Sequence, residues 1–495
     1  MDNVSRIKKL YSHDYYTLLL ILLFVLHGWR FYFGLISFIE VVKAFFVLAV
    51  VTLLCFVFCK LLQRQVTKAA FLTFILLFFL LYTTSIMNFF DLWTVLPHVR
   101  SQLFIITVLF IITAVIVNKV KSVGNRLRQF LNITLYFLVL LEIVLLLVAV
   151  SNNDKTISKS FIDGKQSNHT HKIFPSVYLI LLDEYAGSES LQQNFNYNNS
   201  NFIGFLESRK FKVIQKAASN YKYTLLSLPS MFNGEYISMS KNLSVYGEEG
   251  SKQAMVDMFY NKTFVTFKQL GYNTVNYSPF IIQYNEEAYS NRFLPGGILL
   301  LLYPTLLDDI AEQLPPYLLV KLGKKNWLTS YYKKMHEQNE KLIQKAHDKS
   351  LERNAQPVFC YLHLMLPHSP YIMDSSGKIN LPYLTGKIHH VDTEKAAYIQ
   401  SLQYTNKVMM NFIDTLKRNT NNKAVIIVMS DHGYKTHTFN KKEVDKFNSL
   451  NAVYLPDGDT AKWYNGMSNI NQFRILFSVI TGEPIPLIHD SVILR

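Results

Sequence analysis

Residues 176–184 read Ser-Val-Tyr-Leu-Ile-Leu-Leu-Asp-Glu, and residues 424–433 read Ala-Val-Ile-Ile-Val-Met-Ser-Asp-His-Gly. Each is a β-rich run, apolar at consecutive positions, that ends abruptly in ionisable side chains. A strand apolar on both faces belongs in the middle of a parallel sheet covered by helices on each side. Val-Phe-Cys-Tyr-Leu-His-Leu at 358–364 has the same character and leads from His363 to His368. Further strand candidates stand at 211–217 and 272–277, and helical spacing runs through 331–352 and 394–419. This alternation predicts an α/β domain over 173–495, a mostly parallel sheet sandwiched by helices. Ligands in such folds bind beyond the carboxyl ends of the strands. Asp183-Glu184, His363 to His368 and Asp431-His432 all fall there.

A carboxylate at the end of an apolar strand is costly to bury unless it meets a cation. One such pair is most simply a turn or a helix cap, but two pairs on one sheet point to a metal. Carboxylate oxygens with one imidazole suit Zn²⁺ or Mn²⁺ better than Ca²⁺. Asp183 and Glu184 both remain candidates for the first ligand, with Asp431 and His432 for the others. Between the pairs lies Asn220-Tyr-Lys-Tyr-Thr-Leu-Leu-Ser-Leu-Pro-Ser-Met-Phe232. Alone, Thr224 reads as an ordinary helix N-cap. Beside a divalent ion its hydroxyl becomes a nucleophile, and a helix N-terminus there favours phosphate or sulfate. Lys222 either neutralises that anion or is simply solvated. His363 reads first as a packed core histidine and second as a ligand.

Outward from the α/β domain, the composition changes. Half of the 495 residues are hydrophobic and 17% are charged, which excludes a disordered chain. The apolar excess sits in 1–150, where stretches near 15–34, 41–61, 70–90, 103–118 and 130–150 approach the length that crosses a bilayer. The first is interrupted by His27, Gly28 and Arg30. Basic residues cluster before the first stretch, between the second and third, and between the fourth and fifth. By the positive-inside rule five spans then deliver the rest of the chain outside the cytoplasm. Much of the +15 net charge clusters at these flanks, and nucleic-acid binding is not expected. Residues 151–172 are polar and read as a linker. Stretch 297–320 is too short and too broken to span; it reads first as a core hairpin and second as a surface element resting on the membrane. Cys55, Cys59 and Cys360 have no disulfide or zinc-finger spacing and read as buried, inert thiols.

These motifs together resemble the alkaline phosphatase/sulfatase superfamily, and within it the membrane-anchored phosphoethanolamine transferases and lipoteichoic acid synthases. Thr224-x-x-Ser227-x-Pro229-x-Met231-Phe232 is similar to the transferases' nucleophile segment, and His363-Leu-Met-Leu-Pro-His368 to their paired-histidine segment. Ser430-Asp-His-Gly433 looks like the superfamily's late metal pair, and Asn471-Gln-Phe-Arg474 resembles a segment of many bacterial sulfatase-like proteins.

The resemblance covers nearly the whole chain. It implies an integral protein of the cytoplasmic membrane whose catalytic domain faces outward. That domain would move a phosphoethanolamine- or phosphoglycerol-type headgroup from a membrane phospholipid through a phospho-threonine to an envelope glycan or lipid. His368 would then serve a second metal or protonate the leaving oxygen. The chain departs from the sulfatases in lacking the signature converted to formylglycine, with Met231 where arginine is required. It departs from the transferases in lacking cysteines around the nucleophile, and in continuing Tyr434-Lys-Thr-His437 after Gly433. His437 replaces a lost ligand or is an exposed loop residue. A sulfatase-like hydrolase of sulfate or phosphate esters is the alternative function, and a non-catalytic membrane scaffold comes third.

Overall fold

The computed structural model describes residues 14–90, 99–151, 160–162, 174–237, 248–283, 287–288, 298–302, 305–353, 355–386, 391–435 and 446–494. The chain forms two compact units, Met1–Lys155 with Pro295–Gly323, and Thr156–Leu294 with Lys324–Arg495.

Among the described residues of the first unit, four helices are long and apolar enough to cross a membrane: Phe38–Leu62, Val66–Met87, Val99–Lys119 and Asn125–Ser151. The stretch expected at 15–34 forms a shorter helix, Tyr16–Phe31, of 16 residues. At 1.5 Å per residue it is about 24 Å long, below the ~30 Å hydrocarbon core. Its interrupting polar residues are answered by a neighbour. Glu142, buried on Asn125–Ser151, accepts from Arg30 Nε at 2.6 Å and lies 2.8 Å from His27 Nδ1. Cys59 is buried there, whereas Cys55 is only partly so.

Stretch 297–320 is not a hairpin of the α/β core. It forms helices Ile298–Leu302 and Leu306–Lys321 and belongs to the membrane unit. Leu306 is fully buried in a cluster with Val99 and Ile106. Its run of leucines finds apolar partners on the spans rather than on the sheet, which is already covered on both faces.

The second unit holds a seven-stranded sheet. Its strands are β1 (Val177–Leu182), β2 (Lys212–Val213), β3 (Asn273–Tyr277), β4 (Glu287–Ala288), β5 (Val358–Leu364), β6 (Val425–Met429) and β7 (Asn451–Tyr454), in the order β2-β7-β6-β1-β5-β3-β4. β6, β1, β5, β3 and β4 are parallel, and β7 runs against both β6 and β2. The central strands are buried at every position. Alternation then sends Tyr178, Ile180, Leu182, Leu362 and Val428 to one face, beneath the helices carrying Leu342 and Leu402. Val177, Leu179, Leu181, Tyr361 and Ile427 go to the other, beneath Met231, Phe267 and Phe473. The 211–217 candidate shrinks to Lys212–Val213, because only those residues pair with β7. β7 itself was too short to stand out in the sequence. Of the supposed linker, Ser160–Ile162 is docked on this unit: the Phe161 amide donates to Thr266 Oγ1 at 3.0 Å and its ring stacks near Phe477.

Candidate active site

The register of the sheet assembles the site. β1 lies between β5 and β6, with Leu181 opposite both His363 and Met429. Asp183 and Asp431 therefore leave neighbouring strand ends at the same edge. Asp183, Asp431 and His432 are buried, and each presents one donor atom within 4.8 Å of the others.

Hydrogen bonds fix which atoms face inward. His432 Nδ1 donates to the Gly433 carbonyl at 2.7 Å, so Nε2 carries a bare lone pair. That lone pair lies 3.3 Å from Asp431 Oδ2 and 3.7 Å from Asp183 Oδ1, two buried oxygens that accept no hydrogen bond from the described residues. Asp431 Oδ1, by contrast, accepts from the Glu184 amide at 3.2 Å. Three converging lone pairs repel one another unless a cation stands among them. Donor atoms about 2.1 Å from a four-coordinate ion stand roughly 3.4 Å apart, so this set fits a divalent metal.

Thr224 opens helix Thr224–Asn233 after Tyr223, whose backbone is extended. Its Oγ1 is 3.1 Å from His432 Nε2 and 3.4 Å from Asp183 Oδ2. The hydroxyls of the sulfatase-like Ser227-Leu-Pro-Ser230 segment point elsewhere. Ser227 donates to the Asp431 carbonyl at 2.6 Å and Ser230 to the Glu235 carbonyl at 2.8 Å.

Glu184 does a different job from Asp183. It is a non-glycine residue at φ +64°, a strained conformation. Its carboxylate accepts from the amides of Lys435 at 3.0 Å and Ser369 at 3.4 Å, and its carbonyl accepts from the buried Tyr398 hydroxyl. Glu184 thus ties together the loops that follow β5 and β6.

His363 is fully buried and faces the site nonetheless. The Tyr361 hydroxyl bonds its Nδ1 at 2.9 Å, so its Nε2 donates to Asp183 Oδ2 at 3.2 Å. His368 is half-buried, with Nδ1 bonded to the Ser369 carbonyl and Nε2 3.8 Å from Asp183 Oδ1. Burial alone would raise the Asp183 carboxyl. Nearby His368, then the His363 hydrogen bond and His432, hold it well below the usual carboxylate range.

The ammonium of Lys222 lies 5.7 Å above the Tyr223 ring. Among the described residues, Lys435 brings a cation to the site, with Nζ 3.3 Å from His368 Nε2 and 3.4 Å from His432 Nε2. Its sequence signal was only its position two residues after Asp-His-Gly. His437 lies outside the described residues. The Asn471-to-Arg474 segment is structural: Arg474 Nε donates to the Gly234 carbonyl at 2.8 Å, at the end of the Thr224 helix, and Asn471 holds the C-terminal segment through the Ile488 carbonyl.

The chain is an α/β enzyme of the alkaline phosphatase/sulfatase superfamily, with a threonine hydroxyl, two aspartates and a histidine at the carboxyl edge of a mostly parallel sheet. Within it, the chain belongs to the sulfatase family, whose sequence model matches residues 176–475, more than half of the chain. It is similar to the zinc complex of the C-terminal periplasmic domain of EcEptC from Escherichia coli, at 11% identity over 63% of this chain and 83% of that one, with a TM-score of 0.40. The corresponding domain of the phosphoethanolamine transferase EptC from Campylobacter jejuni shares 12% identity over 63% and 90%, with a TM-score of 0.37. Phosphonate monoester hydrolase of Agrobacterium radiobacter shares 11% over 62% and 74%, with a TM-score of 0.39. No curated protein matches the sequence.

Proposed function

We propose that the chain is a membrane-anchored phosphotransferase. It moves a headgroup of the phosphoethanolamine or phosphoglycerol type from a membrane phospholipid, through an ester on Thr224, to a glycan or lipid of the cell envelope. The observation that carries this reading is the Thr224 hydroxyl 3.1 Å from His432 Nε2 at the Asp183–Asp431–His432 cluster. Basic flanks on alternate ends of the spans support a catalytic domain outside the cytoplasmic membrane.

Asp183, Asp431, His432 and Thr224 would hold Zn²⁺ or Mn²⁺, with Glu184 fixing the loops around them. Bound there, such an ion lowers the pKa of the hydroxyl and offsets negative charge on the phosphoryl oxygens. Thr224 Oγ bonds to phosphorus, its proton passing to water, while the bond to the diacylglycerol oxygen breaks. His368 gives that oxygen a proton. In the second half, His368 takes the proton of the acceptor hydroxyl, whose oxygen displaces Thr224 from phosphorus, and the freed Thr224 oxygen regains a proton from water. The helix N-terminus at Thr224 and the Lys435 ammonium favour the anionic group throughout. Lys222 and His437 are proposed as outer substrate contacts from their places beside Thr224 and Gly433.

Membership of the sulfatase family supports a second reading, a hydrolase of phosphate or sulfate esters in which water takes the acceptor's place. The buried Ser227, engaged with the Asp431 carbonyl, weighs against a formylglycine-type sulfate chemistry. Turnover of headgroup-labelled phospholipid by the full chain separates the two. A transferase releases diacylglycerol much faster when acceptor is added; an unchanged rate with water alone makes it a hydrolase.

A further inference from the structure

An attacking hydroxyl and the groups that activate it must be held within about 0.5 Å of their productive places. Here they arrive on separate stretches of chain, 218–224 leading into the Thr224–Asn233 helix and 430–432 following β6. Residues 467–471, which include the turn Asn469–Asn471 before helix Gln472–Thr481, grip both. On the first stretch, the Ala218 amide donates to the Met467 carbonyl at 3.1 Å and the Asn469 amide to the Ala218 carbonyl at 2.9 Å. The Ile470 amide donates to Asn220 Oδ1 at 2.9 Å, and Asn220 Nδ2 donates to Ser468 Oγ at 3.0 Å. On the second, Asn469 Nδ2 donates to the Ser430 carbonyl at 3.0 Å and to the Asp431 carbonyl at 3.3 Å.

Asn469 is common to both grips. It is fully buried, and its Oδ1 accepts no hydrogen bond from the described residues. A buried acceptor without a donor is costly, and an apolar side chain of that size would avoid the cost. Packing alone therefore gives no reason for an amide there; its two bonds to the backbone around Asp431 do. The turn is itself anchored, because Asp490 Oδ1 accepts from the amide and from the hydroxyl of Ser468, each at 2.7 Å.

We propose that Asn469 is a positioning residue for phosphotransfer. With Asn220 it clamps the stretch that carries Thr224 to the stretch that carries Asp431 and His432, and so sets the 3.1 Å approach of the Thr224 hydroxyl to His432 Nε2. The inference rests on Thr224 being the attacking group, as proposed above.

The test uses the full, metal-loaded chain and headgroup-labelled phospholipid in a rapid-quench single turnover, which separates the rate constant for labelling Thr224 from the fraction of chains labelled. Asn469→Ala is expected to lower the rate constant by about 10–100-fold, as a misplacement on the order of 1 Å does. The labelled fraction and the Zn²⁺ affinity should stay close to wild type. A smaller labelled fraction at an unchanged rate constant is the mark of partial unfolding and overturns the proposal. Ser468→Ala, which removes only the hydroxyl between Asn220 and Asp490, should slow labelling less; an unchanged rate constant in that variant also overturns it. A second arm needs no donor. The visible spectrum of bound Co²⁺ should shift in Asn469→Ala in the same direction as in Thr224→Ala, and a spectrum identical to wild type overturns the clamp. A wild-type chain that takes no label, together with that spectral shift, overturns the transferase reading and supports the clamp.

Discussion

Thr224 Oγ1 stands 3.1 Å from His432 Nε2, the nitrogen left bare because Nδ1 donates to the Gly433 carbonyl. Neither residue is near the other in sequence. The contact exists because the helix that Thr224 opens packs over the end of β6, with Ser227 bonded to the Asp431 carbonyl one turn further on. This arrangement turns the hydroxyl of Thr224, and not that of Ser227, toward the Asp183–Asp431–His432 cluster, which is why the proposed reaction assigns it the attack on phosphorus.

Thr224→Ala should lower turnover by about a thousandfold or more, as loss of an attacking group does. Bound metal, measured by atomic emission, should stay largely in place through Asp183, Asp431 and His432. Thr224→Ser should keep substantial activity.

Ser227→Ala should remove one hydrogen bond to the Asp431 carbonyl and cost about 1 kcal/mol in thermal or denaturant unfolding. The Asp431 carbonyl keeps a donor in Asn469 Nδ2 at 3.3 Å. Covalent labelling should persist in this variant; its disappearance would move the nucleophile to Ser227.

Asp183→Asn and Glu184→Gln should part company. The first removes a charge whose Oδ1 faces the cluster, and metal content should fall to near zero. The second should retain metal while lowering stability by about 1–3 kcal/mol, because the carboxylate that binds the Lys435 and Ser369 amides loses its charge. Equal metal loss in both would contradict the division of roles.

His363→Ala should weaken metal binding by about 10–100-fold in a competition titration, since its Nε2–H holds Asp183 in place. Tyr361→Phe should act in the same direction and more weakly, through the Nδ1 contact.

Glu142→Ala should remove the carboxylate that Arg30 and His27 share within the membrane unit. The helix Tyr16–Phe31 should then insert less completely, read as greater protease access to an N-terminal tag.

Much of this was legible in the sequence because the central strands are simple signals: runs apolar at every position, each ending in charge. Asp183, His368, Asp431 and His432 follow directly from those strand ends. Choosing between Asp183 and Glu184 was beyond sequence reasoning, because adjacent side chains diverge according to φ, and Glu184 takes a value few side chains adopt. His363 looked like a core residue because it is one, yet its ring reaches Asp183 from a fully buried position. Lys435 reaches His368 across 67 residues and leaves no local pattern, whereas Tyr361 bonds His363 only two residues along the same strand. Stretch 297–320 was ambiguous for a different reason. Its apolar content says that it must be covered, but only the folded chain shows that the cover is the spans. Glu142 likewise answers the polar residues that interrupt the Tyr16–Phe31 helix, 112 residues away from Arg30.

The central claim is a covalent phosphotransfer at Thr224, and its most direct test is a peptide mass spectrum of the full chain taken from its native membranes with metal and phospholipid donor present. The account predicts an adduct on the peptide containing Thr224, carrying the mass of a phosphate-bearing headgroup and missing from Thr224→Ala. An adduct on Ser227 instead, or none on a metal-loaded chain that is consuming its donor, would contradict it.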